Sequence, residues 1–240
     1  SWIASKQAGV NPYVLENMDV TSSEELAERR HANRALLAII GKTLEKHADV
    51  IEKMTSVVFF ADADGMVLLL AEGGVTNAAF RQFGTRVGGV WSEEVTGTSA
   101  IALCVKHRTL IQLVGPEHFQ VSMQDHLTTA APIFADDGAL LGVIATTTLH
   151  NKVGSGLSHM QPYMIGWTLS LASSIENENK LRQHRGEDEA GYRGYLRRMM
   201  EGEGYVVIDR DGTVVDVLGA RKGSLLGGWT PGHPIGEYLD

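Results

Sequence analysis

The chain has 240 residues, of which 43% are hydrophobic and 21% charged, so it can bury the core of one large or two modest domains. Its formal net charge of -8 argues against direct binding to nucleic acid, because nucleic-acid-binding domains present a basic face. The single cysteine cannot form an internal disulfide, and no apolar run approaches the roughly 18 residues of a membrane span. We therefore expect a cytoplasmic protein, and we expect Ser1 to lie inside a longer chain because no Met begins the sequence.

Residues 1–22 are expected to be an N-terminal segment, and a long helix is predicted from there to about Met54. Ser22 is its expected N-cap, and Glu25 would complete a capping box. Its apolar positions follow alternating spacings of four and three, which is typical of a coiled-coil seam. The seam consists of Asn33, Leu37, Ile40, Leu44, His47, Ile51 and Met54, and a second stripe of Leu36, Ile39, Thr43 and Val50. We expect one stripe to pack on its own domain and the other on a second copy of the chain; the alternative is a single-domain helix with a wide apolar face.

The middle of the chain mixes strands with short helices. Apolar runs on both sides of the turn at 62–65 predict a β-hairpin, and a second strand–turn–strand unit is predicted over 128–148. Residues 77–83 and 98–106 are predicted to be helical, and 109–114 to be a strand. This order predicts an α+β domain with a mostly antiparallel sheet.

Domain boundaries follow from the loops and charge runs. We expect a sensor domain with the long first helix at 23–156, a connecting signalling helix at 157–186, and the start of a second domain at 187–240. The connecting helix carries a second four–three seam of Met160, Met164, Trp167, Leu171, Ser174, Glu178 and Leu181. The second domain is predicted to open with a helix at 192–200, followed by strands at 205–208 and 213–218.

Several short motifs occur in a fixed order in the middle of the chain. They are WSEE at 91–94, GTSAI at 97–101, EHF at 117–119, AAPIF at 130–134 and DGALLGV at 137–143. Together with Trp2, Gly9 and Pro12, this set resembles the N-terminal GAF domains of sigma-54-dependent transcriptional activators of the acetoin-operon and dihydroxyacetone-operon regulator type. The resemblance covers about residues 1–150. The strands after Tyr205 resemble the start of a PAS-like domain.

The sequence departs from that family at three positions. Ala4 stands where the family commonly has Arg, Ser99 where it has Asn, and Thr128 where it has Cys. Ser99 and Thr128 are expected near the pocket, so the resemblance leaves the identity of the ligand open.

The resemblance implies a sensory region that binds a small-molecule effector in a GAF pocket and signals through dimeric helices. In the family an AAA+ motor and a DNA-binding part follow, but the 240 residues contain no G-x-x-x-x-G-K-[ST] phosphate loop. DNA and sigma-54 RNA polymerase are thus expected as partners only through other segments. One alternative is a GAF/PAS module that senses a protein partner, as part of a regulator or a sensor kinase. The other alternative is an enzyme of GAF fold.

We expect a mostly apolar cavity between the sheet and the 98–106 helix, because the motif segments and the inward strand positions meet there. The candidate ligand-binding residues are Phe60, Trp91, Glu93, Thr98, Ile101, His118, Phe119, Thr129 and Ala131. Two alternatives remain open: Thr98 and Glu93 only cap and charge the helix start, and His118 is only a hydrogen-bonded loop residue. If the cavity is absent because the protein's own side chains fill it, the small-effector interpretation fails. A sensor of a protein partner, docking on the outer helical surface, would then be the better account.

The sequence predicts no enzyme, no cofactor and no metal site. Cys104 lies in an apolar helix and is expected to behave as a small buried hydrophobe. His107, His118 and His126 have spacings that match no compact zinc pattern. GAF-fold methionine sulfoxide reductases use several cysteines, and this chain has one.

Overall fold

A computed structural model describes residues 1–13, 21–54, 56–73, 86–149, 157–187, 195–198, 205–208, 211, 213–218 and 228–238. The chain forms two compact units, Ser1–Ile175 and Glu176–Asp240. Within the described ranges, no helix combines the length and the apolar character that crossing a membrane requires. The helix predicted at 77–83 lies outside the described residues.

The first unit is built on a five-stranded antiparallel sheet, which confirms the predicted α+β class. Its strands in chain order are β1 (Val57–Asp62), β2 (Val67–Glu72), β3 (Ile111–Val114), β4 (His126–Phe134) and β5 (Leu140–Leu149). They lie side by side in the order β2-β1-β5-β4-β3. The β1–β2 turn needs Gly65, whose φ is +87° and whose added Cβ would lie 2.6 Å from the Trp91 carbonyl oxygen.

Helices cover both faces of this sheet. They are α1 (Trp2–Gln7), α2 (Ser23–Ala32), α3 (Arg34–Lys46), α4 (Ala48–Lys53), α5 (Ala100–His107) and α6 (Leu157–Glu187). One core layer packs α3 and α6 against side chains such as Val58 and Phe60, and the other packs α5 against Val57 and Phe59. Every residue of β1 is therefore buried, so this strand shows no alternation of polar and apolar residues.

The long helix predicted over 23–54 is divided into α2, α3 and α4 by the two polar residues of the seam. Asn33 donates from Nδ2 to the Arg29 carbonyl at 2.9 Å, and His47 Nδ1 lies 2.8 Å from the Thr43 carbonyl. These side chains compete for the carbonyls four residues earlier, and both residues leave helical geometry. The predicted N-cap is confirmed, because Ser22 Oγ accepts from the Glu25 N–H at 3.2 Å.

Both predicted stripes of this helix contribute to the core of the first unit. The buried residues of α3 are Leu36, Ile39, Ile40, Thr43 and Leu44, and they come from both stripes. The chain thus has the wide apolar face that the sequence left as an alternative. The dimer expected through this helix and the helix at 157–187 stays a prediction.

The second unit contains the C-terminal part of α6 and a three-stranded antiparallel sheet. Its strands are β6 (Tyr195–Arg198), β7 (Tyr205–Ile208) and β8 (Val214–Leu218), in the order β6-β7-β8. The strands predicted at 205–208 and 213–218 are present. The helix predicted at 192–200 is wrong, because residues 195–198 pair with β7 as a strand. Backbone pairing to a neighbouring strand thus overrides the local helical preference of this segment.

Candidate functional site

A small cavity lies between the sheet and α5, where the sequence predicts one. Its volume is about 10 Å³, and its wall consists of Phe59, Trp91, Ser99, Ala100, Ile101, His118, Met123 and Thr128. A space of this size holds about one water molecule. It is far smaller than the roughly 300 Å³ or more of typical ligand pockets. The position of the expected cavity is therefore right, but in this state the protein's own side chains nearly fill it.

Three of the predicted ligand-binding residues line the cavity: Trp91, Ile101 and His118. The Trp91 N–H donates to the Gly65 carbonyl at 2.8 Å, so the β1–β2 turn fixes its backbone. The Trp91 side chain is 4% exposed, and its indole Nε1 has no hydrogen-bond partner among the described residues. His118 is also buried, and its Nδ1 donates to the Gly115 carbonyl at 3.0 Å.

Three other predicted residues, Phe60, Thr129 and Ala131, lie on the opposite face of the sheet. Phe60 and Ala131 belong to the core layer of α3 and α6. Thr129 accepts a hydrogen bond at 2.8 Å from Gln112, which also donates to the carbonyl of Gln161 in α6. The cavity is instead lined by their sequence neighbours, including Phe59 and Thr128. On β1 and β4 the residue that lines the cavity is therefore the one before the predicted residue. Side chains alternate between the two faces of a sheet, so an error of one residue assigns the wrong face.

Thr98 and Phe119 contact the N-terminal helix rather than the cavity. The Thr98 N–H donates to Ser5 Oγ at 2.9 Å, and the two hydroxyl oxygens are 3.0 Å apart. The cap of α5 is Ser99, whose Oγ accepts from the Ala102 N–H at 3.2 Å, so the alternative in which Thr98 caps this helix is wrong. The Phe119 ring packs edge-on against Trp2, with ring centroids 5.4 Å apart.

The N-terminal segment covers the loop that forms one wall of the cavity. Trp2 Nε1 donates to the Glu117 carbonyl at 3.1 Å, and Gln120 donates to the carbonyl of Asn11 at 3.3 Å. The Val121 N–H donates to the Pro12 carbonyl at 2.9 Å. No pattern in the sequence indicates this contact, because α1 has six residues and its partners lie about a hundred residues away along the chain. The family resemblance of Trp2 was the available signal.

Glu93 forms an ion pair at the far end of α5. Its carboxylate is 8% exposed, and Oε2 contacts Lys106 Nζ in the last turn of that helix. This hydrogen bond raises the pKa of Lys106. Glu93 therefore does not charge the first turn, as the alternative had it, and its Oε1 has no partner among the described residues. The pKa of the neighbouring, exposed Glu94 is lowered, mainly by a hydrogen bond from its own backbone N–H.

Cys104 is buried in the α5 core layer, and burial raises the pKa of its thiol to about 12. It is therefore a small apolar core residue, as predicted. In the part of the chain that the structure describes, no three His, Cys, Asp or Glu side chains are grouped so as to hold a metal ion.

No protein-family model matches the chain. It is 28% identical over 180 residues to the acetoin dehydrogenase operon transcriptional activator AcoR of Bacillus subtilis, which is 74% of this chain and 28% of that protein. It is 27% identical over 182 residues to the acetoin catabolism regulatory protein of Cupriavidus necator, covering 75% of this chain and 26% of the relative. The chain thus spans little more than a quarter of the length of these two relatives.

Among solved structures, the E. coli DhaR(N)–DhaL complex contains a chain with the same fold. The TM-score is 0.66 at 16% identity, covering 99% of this chain and 79% of that chain. The resemblance that the motifs predicted is confirmed. The chain is homologous to acetoin-operon transcriptional activators, and its α+β fold is GAF-like.

Proposed function

We propose that the first unit senses a small, uncharged polar effector that occupies an enlarged form of the cavity beneath α5. The chain would act as the input of a transcriptional activator and carry out no catalysis. DNA and sigma-54 RNA polymerase would be contacted by other parts of the protein, in the cytoplasm. The residues from 187 onward would begin a PAS-like domain.

The unpartnered indole N–H of Trp91 is the observation that supports this proposal. A buried polar group without a partner costs about 1–3 kcal/mol, and native proteins keep few of them. Gln120 Oε1 and Ser122 Oγ, which belong to the same loop as the wall residues His118 and Met123 but do not line the cavity, also lack partners among the described residues. An effector with a hydrogen-bond acceptor, such as a carbonyl oxygen, would satisfy the Trp91 N–H, which lies in the wall of the cavity.

A larger effector can enter only if the wall moves, and α1 covers the loop that carries the wall residues His118 and Met123. It is held by the hydrogen bonds of Ser5 and Trp2 and by the packing of Trp2 on Phe119. The expected sequence of events is displacement of α1, expansion of the cavity, and formation of the hydrogen bond from Trp91.

Buried threonines connect the cavity wall to α6. Thr128 lines the cavity, and its Oγ1 lies 2.9 Å from Thr147 Oγ1 on β5. The next residue back along β5, Thr146, faces the other way, and its Oγ1 lies 2.5 Å from Thr168 Oγ1 on α6. A shift of β5 caused by the effector would therefore reach α6 directly. A coupling of about 1–3 kcal/mol would be enough for a useful switch.

The test is a thermal-shift titration of the chain with acetoin, the compound in the names of both relatives. We expect saturable stabilisation that is lost in Trp91→Phe. The control is Trp167→Phe, because Trp167 Nε1 is also buried without a described partner but lies in the opposite core layer. Equal stabilisation of both variants would contradict the role of Trp91, and the absence of saturable stabilisation by acetoin and related hydroxyketones would reject the small-effector function.

The size of the cavity favours a second candidate, a sensor of a protein partner. Exposed apolar side chains lie on and beside the N-terminal segment: Trp2 is 48% exposed, Ile3 74%, Tyr13 81% and Val121 44%. The neighbour DhaR(N) was solved in complex with the protein DhaL. Under this candidate, Ile3→Asp with Tyr13→Ser would abolish activation in cells without changing the thermal stability, and an unchanged response would reject it.

A further inference from the structure

The helix α2 lies on the first unit although none of its residues is fully buried. Its one large apolar side chain, Leu26, is half-buried, and most of its other residues are charged or polar. A helix of ten residues is unstable by itself in water, and a helix without an apolar face gains little from hydrophobic burial. Polar contacts must therefore determine where α2 lies.

Arg29 provides the main polar contacts between α2 and the sheet. Its Nη1 donates to Asp62 Oδ2 at 3.0 Å and to Asp64 Oδ2 at 2.8 Å. Its Nε and Nη2 donate to Glu25 Oε1 at 3.2 and 3.1 Å, which orients the guanidinium from within α2. Asp62 is 6% exposed, and a pair that includes a buried carboxylate is screened less by salt than a surface pair. Arg29 thus connects α2 to the β1–β2 turn.

The same turn holds the backbone of Trp91. Asp62 Oδ1 accepts from the Met66 N–H at 2.9 Å, so one carboxylate binds the turn with one oxygen and Arg29 with the other. The Gly65 carbonyl, within this turn, accepts from the Trp91 N–H at 2.8 Å. A short series of hydrogen bonds therefore leads from the guanidinium of Arg29 to the backbone of Trp91.

The α2 segment also contacts the residues that precede Trp91. The N–H of Thr21, two residues before α2, donates to the Gly88 carbonyl at 3.3 Å, and the Gly88 N–H donates to the Val67 carbonyl at 2.8 Å. A Cβ added at Gly88 would lie 3.4 Å from Leu26 Cδ2, so this leucine packs directly on the glycine. The docked α2 therefore contacts both pieces of backbone that determine where Trp91 lies.

We propose that Arg29 is a positioning residue for Trp91. By docking α2 on the β1–β2 turn, it fixes the backbone that places the Trp91 side chain in the cavity wall. This role does not depend on an effector. Its consequence for binding rests on the proposed function: an effector that accepts a hydrogen bond from Trp91 binds more weakly when α2 is undocked. By linkage, binding of that effector favours the docked α2.

Amide hydrogen exchange of the effector-free chain tests the role of Arg29. In Arg29→Met the turn loses its connection to α2, and we expect the Trp91 amide to exchange at least about fivefold faster. Arg29→Lys keeps the charge without the fork of donors and should give a smaller increase. The matched control is Arg30→Met, the next residue of α2 with an exposed side chain, which should change this rate by less than about twofold. An unchanged rate at Trp91 in Arg29→Met, or an equal increase at the β5 amide of Ala145, overturns the proposal.

Asp62→Asn tests whether Arg29 acts through the turn. Asparagine keeps an oxygen acceptor for the turn but loses the negative charge that faces Arg29. In the Asp62→Asn chain, adding Arg29→Met should therefore change the exchange of the Trp91 amide by less than about twofold. The full increase in that background would refute this path.

Fluorine NMR of the chain labelled with 5-fluorotryptophan reports on the side chain itself. We expect the Trp91 signal, assigned with Trp91→Phe, to shift in Arg29→Met, while the signal of Trp167 in the opposite core layer stays in place. A Trp91 signal that does not move refutes the positioning role.

A thermal-shift titration with acetoin then tests the consequence for binding. We expect the Kd of acetoin to rise at least about fivefold in Arg29→Met and to stay within about twofold in Arg30→Met. An unchanged Kd together with a shifted Trp91 signal would overturn the coupling to the cavity. If acetoin does not bind the native chain, the small-effector function fails, whereas the exchange and fluorine results still decide the role of Arg29.

Discussion

Replacing Ser5 with Ala tests whether α1 is docked beside the cavity through a specific contact with Thr98. Isolated helices shorter than about 12 residues are unstable in water, so the six residues of α1 depend on their docking contacts. Ser5 is fully buried, and its Oγ accepts from the Thr98 N–H at 2.9 Å. In Ser5→Ala this buried N–H loses its acceptor, which costs about 1–3 kcal/mol. The same change also removes the contact with the Thr98 hydroxyl at 3.0 Å.

Amide hydrogen exchange measures this effect at the position concerned. A loss of about 1–3 kcal/mol in the docking of α1 corresponds to exchange of the Thr98 amide that is about 5- to 150-fold faster. Amides of the central strands β1 and β5 should keep their protection, because their core does not include α1. Lys6→Ala is the matched control, since Lys6 lies on the same helix with an exposed side chain. Unchanged exchange at Thr98 in Ser5→Ala would refute the role of Ser5 in docking α1.

Two further predictions concern stability and reactivity. Asp62→Ala should lower the free energy of unfolding, measured by urea denaturation, by about 2–4 kcal/mol. The Asp62 carboxylate accepts hydrogen bonds from the backbone N–H groups of Asp64 at 3.0 Å and Met66 at 2.9 Å, and from Arg29 at 3.0 Å. The control is Asp64→Ala, which should lower the free energy of unfolding by less than about 0.5 kcal/mol because the Asp64 side chain is 76% exposed. Cys104 should resist thiol reagents at pH 8 until the chain unfolds. Burial raises the pKa of this thiol from 9.0 to about 12, so between pH 9 and pH 12 the thiol loses its proton only in the unfolded chain. The free energy of unfolding should therefore fall with rising pH across this range, and it should fall more steeply than in Cys104→Ala.

Local patterns in the sequence were sufficient for most elements of the first unit. The hairpin around residues 62–65, the helix near 98–106 and the strands at 109–114 and 128–148 are present with small shifts at their ends. Each has a strong local signal, either a turn glycine between apolar runs or a capped apolar segment. The segment at 195–198 lacks such a signal, and its strand depends on pairing with β7.

The face of each strand was decided only by the tertiary structure. Phe59 and Phe60 are adjacent and identical in type, as are Thr128 and Thr129, and Ala130 and Ala131. Because helices cover both faces of the sheet, each member of these pairs is buried, and no polar position marks an outer side. The sequence therefore placed the cavity between the sheet and α5 but assigned its strand residues to the wrong face.

The sequence by itself determined the α+β class, most strands and the homology to acetoin-operon activators, because these depend on local periodicity and on short motifs in a fixed order. The tertiary structure alone decided the docking of α1 on Thr98, the near-filled cavity and the contact of Arg29 with the β1–β2 turn. Contacts between residues about a hundred positions apart leave no periodic trace in a sequence. The volume left inside a core depends on how every side chain around it packs, and no short pattern of residue types records that volume.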